Sequence, residues 1–255
     1  MKTFMWILTL CLVGAFSQAA CAAVYIGGHA DLGVGFENGG LHLHLHAEDT
    51  LSLFGGGSTP AGEYDPADLV IGVPGPASTR PAGNAWNFLA PNVNDAFWFL
   101  PQGSVSTKPF LGIGTEELTA ATGWTTPLTW TFNSISVVSG QNSAFALWQN
   151  DAGGNPIVYA SSLVPTATGN SWMQNAFSHD HFFYGFTGEG VYDVSLTIRG
   201  ANSGVAPIAA GDYADTAIFR FATGNAIATV PEPGSIWLIG MAIAGCLLHR
   251  RRTKA

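Results

Sequence analysis

The chain has 255 residues, of which 47% are apolar, 12% aromatic and only 10% charged. That much apolar surface excludes disorder for most of the chain, and 32 Gly and 14 Pro without a three-residue period exclude collagen. Residues 24–229 hold the cations Arg80, Lys108, Arg199 and Arg220 against sixteen of the acids, a net charge of roughly −12 that excludes a nucleic-acid binder and favours cations.

In chain order, the first expected element is a secretory signal over 1–23. Lys2 is followed by an apolar stretch from Phe4 to Phe16 and by small residues for cleavage at Ala20-Cys21-Ala22. The body, 24–222, reads as all-β. Leu41 to Leu45 alternates with His42, His44 and His46, the period of a strand. Leu69–Val73 is a short apolar strand ended by Pro74-Gly75-Pro76, and Ala96–Leu100 an aromatic one ended by Pro101. Leu128–Val138, Ala144–Gln149, Ile157–Ser161, Phe182–Phe186, Val191–Ile198 and Thr216–Ala222 continue the series. Turns are expected at Asn38-Gly39-Gly40 and Asp151-Ala152-Gly153-Gly154. Many short strands with Gly/Pro turns predict a β-sandwich or jelly-roll. The tryptophans of the body sit in apolar strand patterns and are expected in its core. Residues 223–229 read as a spacer. Residues 230–255 form a tail: Pro231-Glu232-Pro233, an apolar run from Ile236 to Leu248, then His249-Arg250-Arg251-Arg252. The expected fold is therefore all-β, flanked by a signal helix and a short C-terminal hydrophobic helix that holds the chain in the membrane before processing.

Cysteine occurs only as Cys11, Cys21 and Cys246, all in the end segments, so the body needs no disulfide and offers no thiolate. Histidine carries the chemistry instead. His29-Ala30-Asp31, His42-Leu43-His44-Leu45-His46 and His179-Asp180-His181 are three groups of i, i+2 ligands. On a strand such pairs share a face, where two imidazoles can converge on one ion. Imidazole with carboxylate suits Zn²⁺ and other first-row divalent ions. Glu48, Asp49 and Asp180 are candidate acceptors that would fix imidazole tautomers. Glu116-Glu117, if on a strand, would face opposite sides and act apart. No P-loop, dinucleotide fingerprint or nucleophile elbow is present, and no catalytic residue is assigned.

The tail resembles the PEP-CTERM sorting signal of Gram-negative bacteria. That resemblance implies export through signal peptidase, recognition of Pro231, Glu232 and Pro233 by an exosortase, and delivery to the periplasm, cell surface or extracellular matrix. The body resembles the surface-anchored domain called choice-of-anchor M. The resemblance rests on Gly28-His29-Ala30-Asp31, the alternating strand ending at His46, Phe99-Leu100-Pro101-Gln102, Gly114-Thr115-Glu116-Glu117 and the His179-Asp180-His181 strand. With this tail it resembles a subfamily described as Zur-repressed, after the zinc-uptake repressor. It implies a Zn²⁺ site at His29, Asp31, His46, His179 and His181; His42 and His44 are weaker candidates that this sequence adds to the set. It also implies a role in zinc acquisition or buffering beside an uptake transporter, without enzymatic activity. The alternatives are a structural or adhesive matrix protein that binds carbohydrate, with incidental histidines, and a metal-dependent hydrolase.

Overall fold

A computed structural model describes residues 22–230, so the expected signal, sorting tail and their two helices lie outside the described residues. The described residues are all-β. β1 (Ala23–Glu37) and β2 (Gly40–Ala47) form a hairpin, followed by the short β3 (Leu51–Leu53), β4 (Ser58–Thr59) and β5 (Gly62–Tyr64). Next come β6 (Leu69–Val73), β7 (Ser78–Thr79), β8 (Ala96–Leu100) and β9 (Pro109–Gly114). The longer β10 (Leu128–Gly140) precedes β11 (Phe145–Asn150), β12 (Pro156–Ser161) and β13 (Ser171–Gln174). β14 (His179–His181), β15 (Phe183–Phe186), β16 (Gly190–Asn202) and β17 (Gly211–Thr223) complete the series.

The strands form two sheets. Five strands pair in the order β12-β11-β15-β8-β7. The other twelve follow a main path β13-β10-β16-β17-β6-β1-β2-β5, with β9, β14, β3 and β4 branching from it. β1 makes this branching possible. Its start pairs with β6 and β3, while its later part lies between β2 and β9. The change of partner falls at Gly27–Gly28, where the register with β3 shifts. Gly28 takes φ 106°, and a Cβ there would lie 3.0 Å from the Thr50 carbonyl oxygen, so only glycine fits this bulge.

The predicted turns form for the expected reason. Asn38 and Gly39 both have positive φ, as a two-residue β1–β2 hairpin requires. Asp151 Oδ1 accepts from the backbone N–H of Gly153 and of Asn155, closing the turn between β11 and β12. Between the sheets lie Trp130, Phe145, Tyr184, Phe186, Tyr192, Phe219 and Phe221, each at most 1% exposed. Truncating one such ring costs about 3–5 kcal/mol. Trp148 and Trp172 are buried on their strands as expected, and Trp124 is buried outside any strand, whereas Trp86 and Trp98 are only half-buried. Within 223–229, Thr223 is fully buried and Ile227 joins Val24, Val70 and Val191 in a satellite cluster, while Asn225, Ala228 and Thr229 are exposed.

Candidate metal centre

The site forms on a four-strand patch with the order β2-β1-β9-β14. One face of this patch is core: Ala30, Leu32 and Val34 on β1, Leu41, Leu43 and Leu45 on β2, Leu111 and Ile113 on β9. Alternation then sends the intervening residues to the other face. Cross-strand register aligns them in rows. Asp31 sits between His46 and Gly112, and Gly112 is paired in turn with His181. Gly33 sits between His44 and Gly114, and Gly114 is paired with His179.

The β14 histidines thus reach β1 across a glycine strand. Neighbouring strands are about 4.8 Å apart, so β1 and β14 stand roughly twice that distance from each other. Side chains on β9 would fill the gap. At Gly112 an added Cβ would overlap Asp31 Oδ1 and lie 3.1 Å from His181 Cε1. At Gly114 it would lie 3.4 Å from Asp31 Cβ. Tyr184, fully buried in the other sheet, donates its hydroxyl to the Gly112 carbonyl at 2.9 Å and ties the floor of the site to the core.

Four donors converge: one ligand atom each from His29, Asp31, His179 and His181 lies within 4.8 Å of the others. His179 Nε2 and His181 Nε2 are 2.6 Å apart. Asp31 Oδ1 is 3.8 Å from His29 Nε2 and 3.9 Å from His179 Nε2. Donors 2.0–2.1 Å from one tetrahedral ion are about 3.3–3.4 Å apart, a value these distances bracket. Asp31 is 1% exposed, and neither of its carboxylate oxygens has a hydrogen-bond partner; His29 Nε2 has none either. A buried polar atom left in this way is costly unless a proton or cation meets it.

The outward nitrogens of two imidazoles are held by carboxylates. His29 Nδ1 lies 2.8 Å from Glu48 Oε2, and His179 Nδ1 lies 2.9 Å from Glu116 Oε1. When Nδ1 carries the donated proton, Nε2 presents its lone pair inward. His181 is set by packing: its ring stacks on Phe110 with centroids 3.6 Å apart. Burial is the main cause that lowers the His29 pKa, and it takes that of His181, with help from His179, down to about 4. Both rings are therefore neutral at pH 7 and able to ligate. Burial pushes the Asp31 carboxyl up to about 7, with Glu48 and Glu116 adding to the rise against the opposing pull of His179. A bound cation would favour its ionised form.

The expected set is thus divided. His29, Asp31, His179 and His181 come together. His46 belongs to a separate group with His44 and Glu117, because β2 flanks β1 on the side opposite β9 and β14. His42 contributes a donor to neither group: its ring stacks on His44 with centroids 5.7 Å apart, and its nitrogens lie 3.9 Å from Glu37 and 3.6 Å from Asp65. Glu48 takes the tautomer-fixing place expected of it, whereas Asp180 faces the other way, with Gln174 Nε2 3.4 Å from its Oδ2. Glu116 and Glu117 lie not on a strand but in a turn beyond the end of β9, and they act apart: Glu116 contacts His179, and Glu117 contacts His44 and His46. Thr115 pins that turn: its hydroxyl donates to Asn175 O at 2.7 Å, and its backbone N–H donates to Ser178 O at 2.8 Å. Their position directly after a glycine-alternating strand was the available signal.

The fold and site define an all-β protein with a histidine–carboxylate cluster. A family model described as the PEP-CTERM protein-sorting motif matches residues 229–252. The chain accordingly carries the signal of an exported, cell-surface-directed protein processed by an exosortase. No curated protein matches the chain, and no solved structure does.

Proposed function

We propose that this protein binds Zn²⁺ through His29 Nε2, Asp31 Oδ1, His179 Nε2 and His181 Nε2, and that it acquires or buffers zinc outside the inner membrane. One observation carries the reading: four donors of zinc-ligand type lie within 4.8 Å of one another, and among them both Asp31 carboxylate oxygens and His29 Nε2 have no hydrogen-bond partner within the protein. Four is the number of protein ligands that zinc takes in closed sites, and imidazole and carboxylate are both among its ligand types. Glu48 and Glu116 supply the outer carboxylates that such histidines use. The glycines of β9 keep the space clear, and the acidic body draws cations toward it.

Four protein donors fill the coordination of zinc and leave no position for a reactive water, which favours binding over hydrolysis. The sorting signal supports a role beyond the inner membrane, and the resemblance to the Zur-repressed subfamily suggests synthesis under zinc limitation with delivery to an uptake transporter. The test is zinc loading of the purified protein in competition with a chromogenic chelator. One tight equivalent that is lost in the His179→Ala/His181→Ala double variant supports the reading. Equal affinity in the double variant overturns it.

A further inference from the structure

On the same sheet face, one strand further along, lies a second set of donors. His44 Nε2 is 2.9 Å from Glu117 Oε1, and His46 Nδ1 is 3.3 Å from the same oxygen. We propose that His44, His46 and Glu117 form a separate site for a first-row divalent cation, held by three protein ligands and open to solvent at the fourth position.

The residues are built for more than an ion pair. His44 and His46 are i, i+2 on β2 and share a face, as two ligands to one ion must. A single carboxylate oxygen lies beside both rings, so one cation can bridge all three donors. The floor beneath is again glycine. A Cβ at Gly33 would lie 2.7 Å from His44 Nε2, and one at Gly35 would lie 2.5 Å from Glu117 Oε2. His44 is 1% exposed, whereas His46 and Glu117 are 32% and 30% exposed, so one ligand is fixed in the wall and two are reached from outside. Borderline first-row divalent ions fit two imidazoles and one carboxylate; Ca²⁺ and Mg²⁺ prefer oxygen.

Three protein ligands make an exchangeable site, unlike the closed set beside it. Asp31 of the first set and His46 of the second are cross-strand partners, so the two sites are adjacent. A weak, open site next to a tight, closed one is an arrangement for capture followed by retention. The two sets share no ligand, so each assignment can fail without the other.

The test uses the purified full chain and Zn²⁺ alone, titrated past the first equivalent in competition with chelators of graded affinity. A second, weaker equivalent is expected. Glu117→Gln and His46→Ala, both at partly exposed positions, should each weaken that step about tenfold or more and leave the first unchanged. The His179→Ala/His181→Ala variant should retain the weaker step. Melting of each variant without metal shows that it is folded. Saturation at a single equivalent, or a second step untouched by both Glu117→Gln and His46→Ala, overturns the proposal.

Discussion

Asp31 occupies the volume that a side chain at Gly112 would need. The two are cross-strand partners on β1 and β9, and a Cβ at Gly112 would overlap Asp31 Oδ1. Gly112→Ala should therefore turn the Asp31 carboxylate out of the cluster. We expect zinc affinity to fall at least about tenfold, and the metal-free protein to lose about 1–3 kcal/mol from overpacking. Chelator competition and melting on the same samples measure both effects.

Asp31→Asn separates affinity from stability. The carboxylate is buried without a hydrogen-bond partner, an arrangement that costs about 1–3 kcal/mol when no cation is bound. Removing its charge should raise the metal-free melting temperature, by about 2–4 °C for each kcal/mol recovered. The same change should abolish the rise in melting temperature that zinc produces. A lower metal-free melting temperature with an intact zinc response would refute this account of Asp31.

Glu48 and Glu116 act through the imidazoles they hold. Replacing either by Gln weakens the acceptor opposite Nδ1 of His29 or His179. Zinc affinity should drop about 10–100-fold for each. Both residues are partly exposed, so metal-free stability should change by about 0.5 kcal/mol or less. An unchanged affinity in both variants would show that the carboxylates play no part in the site.

The two large pKa shifts give opposite slopes in the metal-free protein. Asp31 holds its proton up to about 7, while its ordinary value is 3.8, so the folded state binds more protons in that interval and stability falls as pH rises through it. His181 is held down to about 4 from 6.5, so the unfolded chain binds the proton first and stability rises with pH across that interval. Above pH 6.5 only the Asp31 loss remains. Zinc requires both groups deprotonated and cancels that loss. The zinc-induced rise in melting temperature should therefore grow between about pH 6 and about pH 8. Melting with and without zinc at several pH values tests this; a rise that is constant with pH would contradict it.

Elements with a full alternation or an apolar run could be read from the sequence: β2 carries its histidines on one face as expected, and Leu69–Val73 and Ala96–Leu100 match β6 and β8 end to end. The elements that build the site were harder to read. β9 offers only Leu111 and Ile113 to the core and glycine in between, because its outer face must stay empty for Asp31 and the β14 rings. β1 is interrupted by Gly27, Gly28, Gly33 and Gly35, which weaken a strand pattern while serving the bulge and the site. Spacing alone sets His29 beside Asp31, His44 beside His46 and His179 beside His181, but it does not separate His42 from its strand neighbours. It could not tell which segments are neighbours, and strand order is what separates His46 from His179 and His181. The roles of Glu116 and Glu117 depend on a turn pinned by Thr115 to residues some sixty positions away, contacts that no local pattern encodes.

The most direct measurement is a competitive zinc titration of the purified, metal-stripped protein and of its His179→Ala/His181→Ala variant, with the melting temperature recorded at each addition. The account predicts a first equivalent of sub-micromolar affinity in the wild type, roughly 8 kcal/mol or more of binding free energy, accompanied by a rise in melting temperature. It predicts the loss of both in the variant. Weak binding of every equivalent with no rise in melting temperature, or the same tight step in the variant, would contradict it.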